Sequence, residues 1–330
     1  MKRTAILICF LIEVNGLFAQ QYNNEWNINA GLGNSSLKYS ITGDGTVNSA
    51  TGGSFGFGYT HFFANEFGFS LGMEAAMYGS SLDIGTISTG YAIATPPGLK
   101  GNFTLNANYS GFNEKQSAAF VQVPIMLNFQ IPLGSSAFFY LNAGGKYGFP
   151  VSATCNQTVN SITTTGYSSY AGQTLQNIPV HGFDTYPNVT SSDKLEIGSS
   201  LMFALEAGLK WKISQKNYLY TGVYLDTGVS NVFTDSSSKE LLEYNEDNPT
   251  DYKYNSILQT NLSGITEMKT YAVGVKLKIA FGSGKEYGRT KKVSTPKPAP
   301  EPKKEKPVQT PQPKPSRVVP QKPKPLLGED

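Results

Sequence analysis

Six charged residues are notable because they fall on the polar side of segments whose side chains alternate between apolar and polar. They are Glu74, Lys146, Glu206, Lys210, Asp226 and Lys276. In a strand, residues two apart point to the same face, so these carboxylates and ammonium groups can share one enclosed space. Charges removed from bulk water must pair or stay hydrated. We therefore predict a salt-bridged plug, and a gated narrow pore is the open alternative.

No other cluster has the spacing of a catalytic site. The imidazoles are those of His61 and His181, and neither has a Ser or Asp beside it at a suitable position. The carboxylates between Asp235 and Asp251 are of a type that binds Ca²⁺, but their spacing matches no calcium loop and favours a solvated acidic loop. We expect no enzymatic activity, no catalytic residue, no metal and no cofactor.

Eight strand-like segments between Trp26 and Phe281 must position the six charges. Short connections lie near 64–66, 132–136 and 214–217, and long ones span about 40–50, 83–116, 152–195 and 232–267. Transmembrane barrels have short periplasmic turns and long outer loops. The alternation predicts an all-β fold, namely an eight-stranded antiparallel transmembrane β-barrel in which the last strand pairs with the first.

The strand pattern suits a bilayer. One apolar row of each segment spans roughly the 9–11 residues that a tilted membrane strand needs. Aromatic residues lie at the short-turn ends of these rows, as interfacial girdles do: Trp26, Tyr59, Trp211 and Phe281. Pro124 donates no ladder hydrogen bond and predicts a bulge. The long connections are rich in Gly, Ser, Thr, Asn and Tyr, so we interpret them as solvated extracellular loops.

Both ends of the chain differ from its middle. Lys2 and Arg3 precede a short apolar run and Ala19, a pattern typical of a secretory signal peptide. We predict a signal peptide over residues 1–20, a barrel over 21–284 and a tail over 285–330. The N-terminus of the barrel and the tail are expected in the periplasm. Cys155 is the cysteine that remains after cleavage, and we expect an unpaired thiol in a loop.

The tail carries a charge opposite to that of the barrel. Residues 21–284 contain 13 Lys and Arg against 18 Asp and Glu, a net charge of −5, whereas residues 285–330 contain 12 against 5, a net charge of +7. The tail also holds 11 of the 19 prolines. Such a composition predicts a disordered, extended Pro/Lys-rich C-terminal tail. Its charge favours anionic partners such as cell-wall carboxylates.

A family resemblance rests on the fourth and fifth segments, residues 120–127 and 141–145. They resemble strands of the outer-membrane β-barrel domains of Bacteroidetes, which include OmpA-type and PorT-type barrels. Residues 225–232 look like a segment found late in such barrels. Four positions resemble the signal read by the barrel-assembly machinery: Gly274, Leu277, Ile279 and Phe281. The resemblance covers roughly residues 20–284, and the peptidoglycan-binding domain that follows OmpA-type barrels is not part of it.

The chain is expected to be a structural outer-membrane β-barrel protein with a plugged lumen and a tethering tail. A small diffusion pore and an accessory subunit of an outer-membrane export or assembly complex remain as alternatives, and a lipid-modifying enzyme is the least supported. The expected partners are outer-membrane lipid, the barrel-assembly machinery during insertion, and peptidoglycan or a periplasmic protein bound by the tail. Nucleic acid is not expected, because the overall positive charge comes from the tail.

Overall fold

A computed structural model describes residues 24–234 and 239–283, together with Ser316 and Pro320. The predicted signal peptide and, apart from those two positions, the predicted disordered tail lie outside the described residues. Within the described part of the chain, no helix is both long and apolar enough to cross a membrane.

Eight antiparallel strands close into a ring. They are β1 (Asn24–Tyr39), β2 (Thr51–Phe62), β3 (Phe67–Ile93), β4 (Phe103–Pro132), β5 (Ala137–Ser168), β6 (Ser200–Lys212), β7 (Asn217–Gly228) and β8 (Met268–Ser283). Each strand pairs with the next along the chain, and β8 pairs with β1 from Asn24↔Ser283 to Tyr39↔Met268. The predicted eight-stranded barrel is confirmed.

Alternation along each strand separates a lipid-facing surface from a lumen. In β1, Trp26, Ile28 and Leu32 are exposed, whereas Asn27 and Asn29 between them are buried. Similar rows of exposed apolar side chains on the other strands form an apolar belt. A closed ring inside such a belt pairs its backbone groups without water, as a bilayer requires.

The connections give the barrel two different ends. Residues 63–66, 133–136 and 213–216 are short turns at one end, which we call the short-turn end. The other end, the long-loop end, carries loop 1 (40–50), loop 2 (94–102), loop 3 (169–199) and loop 4 (229–267). The three predicted short turns agree with these bounds, as do the predicted long connections 40–50 and 232–267.

Three strands continue far beyond the apolar belt, and here the prediction of solvated loops over 83–116 and 152–195 is wrong. β3, β4 and β5 contain 27, 30 and 32 residues. Gly45–Ser49 adds to β3, and Gln173–Leu175 and Thr185–Lys194 add to β5. The physical reason is that Thr and Tyr, which suggested loops, favour strands where one face is covered. Cys155 consequently lies in β5 and is buried, not in a loop.

The covered face of this extended sheet carries a hydrophobic core. Phe103, Tyr109 and Phe112 from β4 are buried there together with Ile257 and Leu258 from loop 4. Within loop 4, Ile257–Gln259 forms a single 3₁₀ turn, and Ser256 caps it by accepting a hydrogen bond from the backbone N–H of Leu258. Leu242–Glu243 and Lys253–Tyr254 pair as a small hairpin in the same loop. The same core continues into the lumen through four residues: Tyr78, Phe120, Met202 and Tyr224.

Strand β4 departs from regular strand geometry at two places. Gly111 has φ +65°, a left-handed conformation that suits glycine, and it lets both Tyr109 and Phe112 face the core. The bulge predicted at Pro124 is wrong, because the register between β4 and β3 is the same on both sides of that residue. Gly72, which lies opposite Pro124, has no side chain that could obstruct the pyrrolidine ring. The irregularity lies instead in the pairing of β4 with β5, between Ala119 and Phe120.

Candidate functional site

The lumen contains a layer of buried ion pairs that joins strands on different sides of the ring. The ammonium of Lys146 on β5 contacts Glu74 on β3 at 2.9 Å and Asp226 on β7 at 2.8 Å. All three side chains are nearly inaccessible to solvent. Buried charges are tolerated when they are paired and hydrogen-bonded, so these contacts connect three strands across the barrel.

A second group of charges continues the layer toward the short-turn end. Lys276 on β8 contacts Glu74 at 2.6 Å and lies 3.8 Å from Glu206 on β6. Lys278 contacts Glu206 at 3.0 Å, and the hydroxyl of Tyr140 donates to the same carboxylate. Glu74 thus accepts from two lysines, and the network includes residues of five strands.

Lys210 occupies a separate position near the short-turn end. It pairs with Glu25 on β1 and donates to Gln130 at 3.0 Å. Its ammonium lies 4.3 Å from the ring centroid of Tyr218 and 4.9 Å from that of Phe62. Aromatic faces attract a cation most strongly when water is excluded, so the rings and the carboxylate hold this ammonium in place.

The structure brings five of the six predicted lumen residues into one connected network and places Lys210 in its own pair. Sequence reasoning missed Glu25 and Lys278. Both were visible by parity, since Lys278 lies two residues from Lys276 on the same face, and Glu25 lies two residues before Asn27. Beside the network is a cavity of about 30 Å³, which is large enough to admit water.

A different buried carboxylate lies at the long-loop end, beyond the apolar belt. Glu114 on β4 is completely buried. Its Oε1 accepts from Ser256 Oγ at 2.6 Å and from Gln116 Nε2 at 3.1 Å. Its Oε2 accepts from Gln157 Nε2 at 2.8 Å and from the backbone N–H of Ile257 at 2.9 Å. Two of these four neutral donors belong to loop 4, so the carboxylate fastens that loop to β4.

Loop 4 is also fastened to other parts of the long-loop end. Gln157 on β5 donates to the carbonyl of Asn255, and Tyr252 donates to the carbonyl of Gly182 in loop 3, both at 2.6 Å. Thr42 in loop 1 donates its backbone N–H to Ser263 at 3.0 Å. Because loop 1 follows β1 and loop 3 follows β5, loop 4 extends across the barrel mouth.

Cys155 lies beneath loop 4 and beside Glu114. Burial, together with the neighbouring Glu114 carboxylate, raises the pKa of the Cys155 thiol to about 12. Burial also raises the pKa of Glu114 above its usual value of 4.5. Burial also raises the pKa of Tyr39, whose hydroxyl donates to Gln116. The four hydrogen bonds lower the pKa of Glu114, but burial is the larger effect, so the carboxyl binds its proton more tightly under the closed loop than in water.

Loop 4 should open more readily as the pH rises. A carboxyl whose folded pKa is raised contributes stability that is present below its unfolded pKa and is lost as the pH rises through the folded value. Alkylation of Cys155 measures opening, and the ratio of wild-type to Glu114→Gln labelling rates cancels the ionisation of the thiol itself. We expect this ratio to increase as the pH rises above the usual carboxyl pKa of 4.5. A ratio independent of pH would contradict the expectation.

The two histidines lie at opposite ends of the barrel. Nδ1 of His61 lies 2.6 Å from Oδ1 of Asn24 at the short-turn end. His181 belongs to a 3₁₀ turn in loop 3, at the opposite end of the barrel. Within residues 24–234 and 239–283, no cluster of three His, Cys, Asp or Glu side chains has the geometry to hold a metal.

Comparison with known proteins was made for the whole chain. A family model described as an outer membrane protein beta-barrel domain matches residues 18–234, which includes strands β1 to β7. The chain belongs to this family. An outer membrane beta-barrel domain functions in the outer membrane, and the protein is accordingly an outer-membrane protein. No curated protein matches the chain.

Several solved outer-membrane proteins are similar to this barrel domain at low sequence identity. OprG of Pseudomonas aeruginosa has 12% identity and a TM-score of 0.32, over 80% of this chain and 98% of that one. Neisserial surface protein A has 10% identity and a TM-score of 0.28, over 78% and 96%. The attachment invasion locus protein Ail of Yersinia pestis, solved with the heparin analogue sucrose octasulfate, has 12% identity and a TM-score of 0.25, over 79% and 99%.

The predicted assembly signal of this outer membrane beta-barrel domain lies on its closing strand. Leu277, Ile279 and Phe281 are exposed on the outer face of β8. Gly274 is paired with Gly33 of β1, and a side chain at Gly274 would collide with the backbone of β1. Three of the four predicted positions therefore lie on the outer face, next to the seam where the ring closes.

Proposed function

We propose that the protein is a structural outer-membrane barrel whose lumen is closed to ions. The observation that carries this proposal is that buried side chains fill the lumen: apolar ones in its upper part, and below them the ion pairs of Lys146 with Glu74 and Asp226, which connect β3, β5 and β7. An eight-stranded barrel is just wide enough for its own side chains to fill. Purified wild-type protein should produce no stepwise conductance in a planar lipid bilayer, and regular unitary steps would refute the closed lumen.

The long-loop end is proposed to face the outside of the cell, with the short turns and the tail in the periplasm. The support is the general asymmetry of bacterial barrels, in which periplasmic turns are short. In that orientation β3, β4, β5 and loop 4 form a folded platform above the outer leaflet, and its core is continuous with the side chains of the upper lumen.

A small diffusion pore is the second candidate. The residues across the lumen are charged, and charged groups become hydrated when they separate. Conduction would require the ion pairs and loop 4 to move together. An accessory subunit of an export or assembly complex is a third possibility, which co-purification in mild detergent tests.

The basic tail is proposed to tether the barrel to anionic cell-wall polymer. A net charge of +7 over residues 285–330 favours carboxylate-bearing partners, and such an attraction weakens with salt. Deleting residues 285–330 should leave barrel assembly intact and abolish sedimentation with purified peptidoglycan at low salt. Equal sedimentation of the truncated and full-length proteins would exclude the tether, while the closed lumen would remain to be judged by conductance.

A further inference from the structure

Two lysines face each other on the outside of the barrel at its long-loop rim. Lys38 on β1 and Lys269 on β8 are direct cross-strand partners. Lys38 is exposed, and the side chain of Lys269 retains 37% of its accessible surface. Like charges directly opposite each other destabilise a sheet. Glu267 compensates one of the two charges, and a bound anion would compensate the other.

The lysine pair lies immediately above the apolar belt. On β8, Val273 and Val275 are exposed members of the belt, and Tyr271 lies between them and Lys269. The ammonium of Lys38 lies 3.5 Å from the centroid of the Tyr271 ring. Aromatic residues at such a rim mark the depth of lipid headgroups. The two ammonium groups are therefore at the level where lipid phosphates occur.

A groove of about 680 Å³ connects these side chains. Its lining includes Lys38, Lys269 and Tyr271, with the hydroxyl-bearing Ser49, Thr227 and Thr266. Glu267 also lines the groove and pairs with Lys269 at 2.8 Å, which leaves a net charge of about +1 among these three charged residues. Ligand sites commonly have volumes of about 300–1,000 Å³, so the groove has room for a headgroup.

We propose that Lys38 and Lys269 bind the phosphate of a membrane lipid whose acyl chains lie on the adjoining belt. Charge complementarity selects the phosphate, and the position directly above Val273 and Val275 selects lipid over a soluble anion. We assign this lipid to the outer leaflet, and that assignment rests on the orientation of the barrel given under Proposed function. Phosphate binding by the lysines does not depend on that orientation, on the closed lumen or on the tail.

The test compares three ligands in detergent micelles: phosphatidic acid, phosphatidylcholine and inorganic phosphate. Native mass spectrometry and the temperature at which heated protein changes its gel mobility both measure binding. We expect wild-type protein to retain phosphatidic acid in preference to the other two. The double variant Lys38→Gln/Lys269→Gln should bind phosphatidic acid about 10- to 30-fold more weakly, because each lysine near a lipid surface contributes about 1 kcal/mol.

A matched control is the double variant Lys100→Gln/Lys115→Gln, which removes two exposed lysines elsewhere at the long-loop end. It should bind phosphatidic acid like the wild type, and both variants should fold to the same heat-modifiable form. Equal binding by the Lys38/Lys269 variant and the control would overturn the proposal. Equal protection by inorganic phosphate and phosphatidic acid would overturn the lipid assignment, because it would make the site one for free phosphate.

Discussion

Lys146→Ala should destabilise the barrel by about 3–5 kcal/mol, the usual cost of removing one partner from a buried ion pair. Asp226 would lose the ammonium that contacts it at 2.8 Å, and Glu74 would keep Lys276 alone of its two cationic partners. The free energy of unfolding is measured in urea, and the loss of heat-modifiable gel mobility reports the unfolded fraction. Conductance should stay unchanged, since the apolar side chains of the upper lumen and loop 4 remain in place.

Two further variants make this result specific. Lys253→Ala removes the exposed pair with Glu243, whose two side chains are 63% and 37% accessible, and it should cost less than about 1 kcal/mol. The double variant Lys146→Ala/Asp226→Asn removes both charges and should recover part of the lost stability. A stability loss for Lys146→Ala no larger than that of Lys253→Ala would contradict a structural network. New unitary conductance in Lys146→Ala would favour the pore.

Glu114→Ala should release loop 4 while the barrel stays folded. The substitution removes the acceptor of four buried donors, and a buried polar group left without a partner costs about 1–3 kcal/mol. Even about 1.4 kcal/mol of that cost makes opening tenfold more frequent. We expect alkylation of Cys155 to accelerate at least about 10-fold, with little change in the heat-modifiable mobility of the barrel.

The control for this variant is Glu246→Ala, which removes an exposed carboxylate from the same loop. It should leave the alkylation rate of Cys155 unchanged. If Glu114→Ala and the control label at the same rate, Glu114 does not fasten loop 4. If Glu114→Ala abolishes heat-modifiable folding, the carboxylate is needed by the barrel and the separation between loop and barrel is wrong.

The barrel, and the set of charged side chains that point into its lumen, could be predicted from the sequence alone. A two-residue period in a membrane strand has one polar face, so Glu74, Lys146 and Asp226 could be assigned to the lumen before any distance was known. Their partners could not be assigned, because the pairing depends on the stagger between strands that are neighbours in neither sequence nor sheet. Glu25 was missed because the predicted first strand begins at Trp26, two residues after the observed start at Asn24.

The platform at the long-loop end was overlooked for a different reason. Its strands contain Gly, Ser, Thr and Asn, which are also the common loop residues. The alternation of Phe103, Leu105, Ala107 and Tyr109 was a usable signal. Glu114 could not be recognised as buried, because the donors from Ser256 and Ile257 reach it from a loop 142 and 143 residues further along the chain.

The order of segments along the chain imposes an order of events during biogenesis. Loop 4 immediately precedes β8, and the backbone of Val232 at its beginning donates to Met268, the first residue of β8. Contacts between distant segments form late, because a long chain segment must first be closed into a loop. The mouth of the barrel therefore becomes covered at about the time that β8 joins β1. Protection of Cys155, the single described cysteine, from alkylating reagents would then mark completed insertion.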